Sequence, residues 1–275
     1  MGDAEGKTAL VTGANSGIGL ATVVELARRG MRAVGSVRSP AKARAVHAAA
    51  READVDVATV ILDVADTGRC KRVIDDLRPY AVVNNAGISN LGAVEDGDDA
   101  EVHSQLEIML VAPMRLARLA LPHMRESGGG RIVNISSIYG LTTTPLSGWY
   151  QACKHALEAV SDALRMEVAR DGIRVILIEP GGFDTGIWED SARAVQRRTG
   201  TRYATAYGRT MRGVRLSRPL MGDPQTVANV IAGAITSRRP KQRYLVGYDA
   251  QVARAYGRVV PDGVRDRLAR LTLGL

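Results

Sequence analysis

Lys7-Thr8-Ala9-Leu10-Val11-Thr12-Gly13-Ala14-Asn15-Ser16-Gly17-Ile18-Gly19-Leu20 is the stretch whose reading decides the fold. A short apolar, β-prone run meets a glycine-rich turn. The pattern that follows, Leu20-Ala21-Thr22-Val23-Val24-Glu25-Leu26-Ala27, is helical. Strand, turn and helix in that order make a phosphate cradle. Gly13 can take backbone angles closed to other residues, Gly17 lets the chain approach a pyrophosphate, and Gly19 permits tight helix–strand packing. The helix N-terminus faces the anion. Asn15, Ser16 and Ile18, inside the turn, join the three glycines as candidate cofactor contacts. No Lys-Ser/Thr follows the last glycine, so this is not a Walker A loop.

Working outward, strand-like runs at 9–12, 32–37, 57–63, 81–84, 131–136, 174–179 and 244–246 alternate with helical runs at 41–53, 68–77, 101–124 and 150–171. Several of the strand runs are almost continuously apolar, as expected of parallel strands covered on both faces. The alternation predicts an α/β fold, a Rossmann-type doubly wound parallel sheet of about seven strands with helices on both faces. The 275 residues contain no repeat or linker, so a single domain over 1–275 is expected, with a polar stretch from Glu189 to Gly222 read as an insertion over the site. A hydrophobic fraction of 45% beside 24% charged residues excludes a disordered chain. No signal peptide precedes the first strand, and no apolar run is long enough to span a bilayer. Two cysteines, Cys70 and Cys153, make neither a disulfide framework nor a metal cluster, which fits a cytoplasmic protein without a metal.

Chemistry enters at Tyr150-Gln151-Ala152-Cys153-Lys154. A four-residue step puts Tyr150 and Lys154 on one helix face, where an ammonium is expected to bring the phenol pKa down toward the working range. Ser137, at the end of the apolar run before this helix, can bind a substrate oxygen. Ser137, Tyr150 and Lys154 are thus the candidate catalytic residues for proton exchange at an alcohol or carbonyl oxygen while a hydride moves on carbon. The cofactor is read from Val34-Gly35-Ser36-Val37-Arg38-Ser39. NAD is usually held by a carboxylate at the end of this second strand, but Val37 stands there and Arg38 follows. A guanidinium clamps phosphate through two hydrogen bonds, and Ser39 adds a hydroxyl, so NADP is expected. The bland alternative is that Arg38 is a solvated loop residue.

The spacing Thr-Gly-x-x-x-Gly-x-Gly, followed by Asn84-Asn85-Ala86-Gly87, Ser137, Tyr150, Lys154 and Pro180-Gly181, resembles the short-chain dehydrogenase/reductase family over essentially the whole chain. The stretch from Glu179 to Thr185 and the ending from Tyr244 look most like the branch similar to 17β-hydroxysteroid dehydrogenases. The resemblance implies that Asp63 and Val64 hold the adenine and that Asn85, Ala86 and Gly87 line the cofactor. It also implies that Pro180, Gly181, Phe183 and Thr185 pass under the nicotinamide and diphosphate, and that Tyr150 and Lys154 also touch the cofactor. Homodimers or homotetramers are expected, packed through the long helices at about 101–124 and 150–171. One family residue is missing. The asparagine of the helix before the serine strand aligns with Met109. In the family it accompanies a helix distortion whose freed carbonyl holds a water linked to the lysine. Pro113, four residues on, has no N–H, so the Met109 carbonyl loses its ordinary helical partner. Either the chain has kept the carbonyl and lost the side chain, or Met109 is core filler and Pro113 an incidental kink.

Charge adds a second theme. The formal net charge is +8, and residues 191–222 hold eight arginines (Arg193, Arg197, Arg198, Arg202, Arg209, Arg212, Arg215 and Arg218) with no acid. This segment, where the family places its substrate lid (about 186–222), reads either as a solvated loop or as an attractor for an acidic partner. Such a partner is an acidic carrier protein, acyl-CoA phosphates or an anionic membrane surface. Arg193, Arg197 and Arg198 can share one basic helix face. Nucleic acid is disfavoured, because no binding module surrounds the cluster. Trp149, Trp188 and Phe183 flank the expected pocket, so an apolar, fairly bulky small-molecule substrate (steroid-, polyketide- or lipid-like) fits. The rival readings are a nucleotide-binding regulator with little turnover and a sugar-nucleotide epimerase or dehydratase. The second is disfavoured by the glycine spacing.

Overall fold

The computed structural model describes residues 4–275. Seven strands, β1 (Thr8–Val11), β2 (Arg32–Val37), β3 (Ala58–Ile61), β4 (Ala81–Asn84), β5 (Gly130–Ile135), β6 (Ile173–Pro180) and β7 (Arg243–Val246), form one sheet in the order β3-β2-β1-β4-β5-β6-β7. Every pairing is parallel. Successive side chains of a strand point to opposite faces, and the strands are apolar at both. Ala9 and Val11 therefore pack with Val23, Leu26 and Val46 from α1 (Gly17–Arg28) and α2 (Pro40–Glu52), and with Val227 and Ile231 from α9 (Pro224–Thr236). Leu10 packs on the other face with Val73 and Ile74 from α3 (Thr67–Leu77) and with Leu116 and Ala120 from α5 (Ala112–Glu126).

The helix expected at 101–124 is interrupted. It begins as α4 (Asp99–Leu106), passes through a π-helical turn over Glu107–Val111, and resumes as α5. The Ala112 N–H reaches back to the Glu107 carbonyl, five residues away. Pro113 is the cause written in the sequence, because it withholds the N–H that the Met109 carbonyl needs. The helix expected at 150–171 is α6 (Gly148–Glu167).

The stretch read as a polar insertion contains two helices, α7 (Ile187–Arg197) and α8 (Ala204–Ser217). After β7 come α10 (Tyr248–Val259) and α11 (Asp262–Leu273). These four helices form a cover over the carboxyl ends of the strands, with Tyr207 of α8 buried against Leu91, Ala93 and Leu146. Among the described residues no helix is long and apolar enough to cross a membrane.

Candidate active site

The strand order reverses between β1 and β4, and a cavity of about 1540 Å³ opens there between sheet and cover. Gly13 and Gly17 take positive φ, +66° and +52°, which only glycine adopts without strain. Gly13, Asn15, Ser16, Gly17 and Ile18 line the cavity. Gly19 does not. A Cβ there would collide with the Gly13 carbonyl and the Asn85 amide, so its role is the expected close packing. The Thr12 hydroxyl accepts the N–H groups of Asn85 and Ala86, both at 2.9 Å, and the Asn85 side chain donates to the Thr12 carbonyl at 2.9 Å. These bonds fix the turn after β1 to the turn after β4, where Asn85, Ala86 and Gly87 face the cavity. From the far side, the Thr185 methyl comes within 3.1 Å of where a Cβ on Gly17 would sit, so the loop after β6 closes on the glycine turn. Pro180, Gly181, Phe183 and Thr185 all line that wall.

The adenosine end fits a phosphorylated dinucleotide. Arg38 is exposed, lines the cavity and makes no ion pair with any described residue. Lys42, in the first turn of α2, stands on the same wall with no acid partner among the described residues. The Ser36 hydroxyl beside them is buried with no protein partner. Lys42 and Ser36 were missed in the sequence because neither belongs to a spacing motif. The lysine becomes legible only once Ser39 is known to start a helix that points its first turn at the groove. Ser39 itself is a correction: it occupies the N-cap position of α2 and lies off the cavity wall. Asp63 and Val64 line the cavity, and one Asp63 carboxylate oxygen accepts the Ala65 N–H at 3.0 Å.

Ser137 ends the β5 segment and caps a short 3-10 turn, its Oγ accepting the Tyr139 N–H at 3.2 Å. Tyr150, in the first turn of α6, lines the same cavity as Ser137. Tyr139 packs edge-on against Tyr150, ring centres 6.2 Å apart. Lys154 is buried, and its Nζ donates to the Ile135 carbonyl at 2.7 Å while lying 5.6 Å from the Tyr150 ring centre. Burial pushes the Tyr150 phenol up to about 12, the nearby Ser137 hydroxyl acting the other way. Burial also brings Lys154 down to about 8. The net shift is upward, against the expectation of a phenol brought down toward the working range. In this geometry desolvation of the phenolate dominates, and the ammonium is committed to a backbone carbonyl. Met109 is buried in the π-helical turn and lines the cavity.

The cover is held by polar latches. The Arg198 side chain, 9% exposed, donates to the Leu91 carbonyl at 3.0 Å, to the Asp96 carbonyl, and to Glu101 at 2.8 Å. The Tyr207 hydroxyl donates to Asp96 at 2.6 Å and accepts the Ala93 N–H at 2.7 Å. Arg218 bridges Asp184 and Glu189, and Arg193 pairs with Asp190. Arg197 and Arg198 share Glu101, so the three side chains do not stand as a free basic face: each is drawn to an acid outside 191–222. Trp149 is a second correction. Its indole donates to the Val94 carbonyl at 3.3 Å, away from the main cavity, because neighbouring residues on a helix point about 100° apart. Trp188 and Phe183 do line the cavity, joined by a bond from the Trp188 indole to the Phe183 carbonyl at 2.9 Å.

Residues 7–196 match the family described as short chain dehydrogenase, and the chain belongs to it. The uncharacterized oxidoreductase YusZ of Bacillus subtilis is 35% identical over 250 residues, covering 88% of this chain and 89% of that one. The NADPH-dependent 3-dehydrocapnine reductase of Ornithobacterium rhinotracheale is 28% identical, covering 94% and 95%. A crystal structure of a short-chain dehydrogenase from Streptomyces avermitilis superposes with a TM-score of 0.77 at 32% identity, covering 97% of this chain and 96% of that one. The protein is an oxidoreductase of this family, and its cofactor is NADP.

Proposed function

We propose that the protein interconverts a carbonyl and a secondary alcohol on an apolar, fairly bulky substrate. One observation carries this reading: Ser137 and Tyr150 open onto the same cavity as the glycine turn. When bound, NADPH supplies the hydride. Ser137 and Tyr150 hold the substrate oxygen between two hydroxyls, and Tyr150 donates its proton as that oxygen becomes an alcohol. A phenol held near 12 stays protonated throughout the working range and so is charged for reduction. Lys154 stabilises the phenolate left behind. Its ammonium titrates near 8, so reduction should slow as pH rises through that value. The π-helical turn supports the reading that the chain has kept a freed carbonyl where the family also has an asparagine.

Beyond Tyr150 the wall is built of Leu91, Met109, Phe183, Trp188, Met211 and Val214, which supports an apolar substrate. The related reductase of 3-dehydrocapnine supports the reductive direction. Residues 186–222 serve as the substrate lid over a single catalytic unit spanning 1–275. Exposed Val111 and Met166, on the α4–α6 side, support a homo-oligomer packed there. The test is NADPH oxidation with a series of ketones of growing alkyl length. Each methylene buried is worth about 0.8 kcal/mol, so kcat/KM should rise roughly 4-fold per carbon until the cavity is filled. Absence of turnover across the series, or rates indifferent to length, would remove the proposal.

A further inference from the structure

The cover turns apolar side chains outward. On α11 no residue is buried, and Val264, Leu268 and Leu271, at steps of four and three, form one exposed line along the helix. On α10, Tyr248, Val252 and Val259 are exposed in the same manner, at 83%, 49% and 80%. Leu216 near the end of α8 and Leu220 just beyond it are 70% and 87% exposed. Arginines lie on the same elements. Arg212 and Arg215 on α8 and Arg267 on α11 are exposed and make no ion pair with any described residue, unlike the latching arginines Arg193, Arg198 and Arg218. The helices are joined, because Arg209 of α8 donates to the Thr272 carbonyl of α11 at 3.4 Å. The outward face is also continuous with the cavity: Leu268 and Tyr256 are exposed and line it as well.

We propose that α8, α10 and α11 dock the protein on a bilayer carrying anionic phospholipid, with the cavity mouth at the interface. Leucine, valine and tyrosine side chains enter the boundary of the acyl region, while the free guanidinium groups meet lipid phosphates and keep their stems along the apolar surface. A second copy of this chain is a poorer occupant. A two-fold contact sets a patch against itself, so the uncompensated arginines of one copy would face those of the other. The entry route for substrate rests on the apolar-substrate reading above; the docking itself does not. A bilayer-dissolved substrate would reach Tyr150 through the mouth at Leu268 and Tyr256 without crossing water.

The full chain with NADPH should be sedimented with vesicles of phosphatidylcholine alone and of phosphatidylcholine with equal phosphatidylglycerol. Binding is expected to the second and not the first, and should weaken as salt is raised. Each arginine near an anionic surface contributes roughly a 5-fold gain in partition, so the double variant Arg212→Glu, Arg215→Glu should bind at least about 20-fold less. Leu216→Glu with Leu271→Glu, two exposed side chains off the cavity wall, should abolish binding. Both doubles should still reduce a small water-soluble ketone at the wild-type rate, which shows that they fold. Loss of that ketone activity in the wild type itself would count against the proposed function, while vesicle binding would still decide the docking. No binding to the anionic vesicles at low salt overturns the proposal. So does a halved mass in solution for the leucine variants without any vesicle effect, which would assign the face to a second copy. Capture of an acidic protein in place of vesicles overturns it as well.

Discussion

On the floor of the cavity, positions are set by backbone: parallel register, positive-φ glycines, and N–H groups gathered by the Thr12 hydroxyl. On the cover they are set by side chains reaching far along the chain, as when Arg198 and Tyr207 grip the segment from Leu91 to Glu101. The cover buries little. α11 has no buried residue, and α7 buries only Ser191 and Ala194. A floor of this kind fixes one chemistry, whereas a cover held by a few latches can change what it admits without disturbing that chemistry. The contrast breaks down if a floor substitution alters substrate range, or if a cover substitution alters cofactor affinity.

The largest effect belongs to the floor. Tyr150→Phe keeps the ring against Tyr139 and removes the transferable proton, so single-turnover hydride transfer should fall on the order of 100-fold or more while NADPH affinity stays near normal. Next is Arg38→Asp, which places a carboxylate where the 2′-phosphate is expected. Charged hydrogen bonds of this kind are worth about 1.5–3 kcal/mol, so the NADPH:NADH preference should drop roughly 10- to 100-fold in coenzyme titrations, with ketone selectivity unchanged. On the cover, Tyr207→Phe removes the donor to Asp96 and should loosen α8. KM for a long ketone should rise several-fold while the dissociation constant for NADPH holds. An equal change in both would mean that floor and cover are one cooperative unit.

The smallest expected effect lies behind the site. Glu179, fully buried on β6, shares Arg243 with Glu158 and Asp162. Burial, then the neighbouring Glu158, raise its pKa from an ordinary 4.5 to about 7. The folded state therefore holds a proton that the unfolded state has released between those values, so stability falls as pH rises from about 4.5 to 7. Glu179→Gln should flatten that fall in thermal melts, gaining on the wild type at pH 8 and not at pH 4. A parallel pair of curves would show that Arg243 already compensates the ionised carboxylate.

The same division explains what the sequence made legible. All seven strands were visible as apolar runs, and the glycine turn, Ser137, Tyr150 and Lys154 were visible by spacing, because each is local in the chain. The π-helical turn was foreshadowed by Pro113, a covalent fact. The cover was misread for the opposite reason. Arg198 reads as part of a basic helix face or of a solvated loop because its partners lie about a hundred residues upstream, and no composition rule pairs it with Glu101. Trp149 looked like a pocket residue because it adjoins Tyr150 in sequence, although the helix turns it away. Lys154 drew attention as a neighbouring cation, whereas the depth of its burial depends on how β5 and α6 pack.

Gly92 has ordinary backbone angles, so nothing in its conformation demands glycine, yet a Cβ there would sit 2.7 Å from the Arg198 guanidinium carbon. The empty space at one position is thus the shape of the side chain at the other. A larger residue at 92 would push the guanidinium off its bonds to Leu91, Asp96 and Glu101, so the two sites are coupled. Relatives with a larger residue at the equivalent of 92 should have lost the arginine at the equivalent of 198, and with it this anchor for the cover. Substrate range among such relatives should then have diversified along with that pair, leaving the glycine turn and the tyrosine helix as they are.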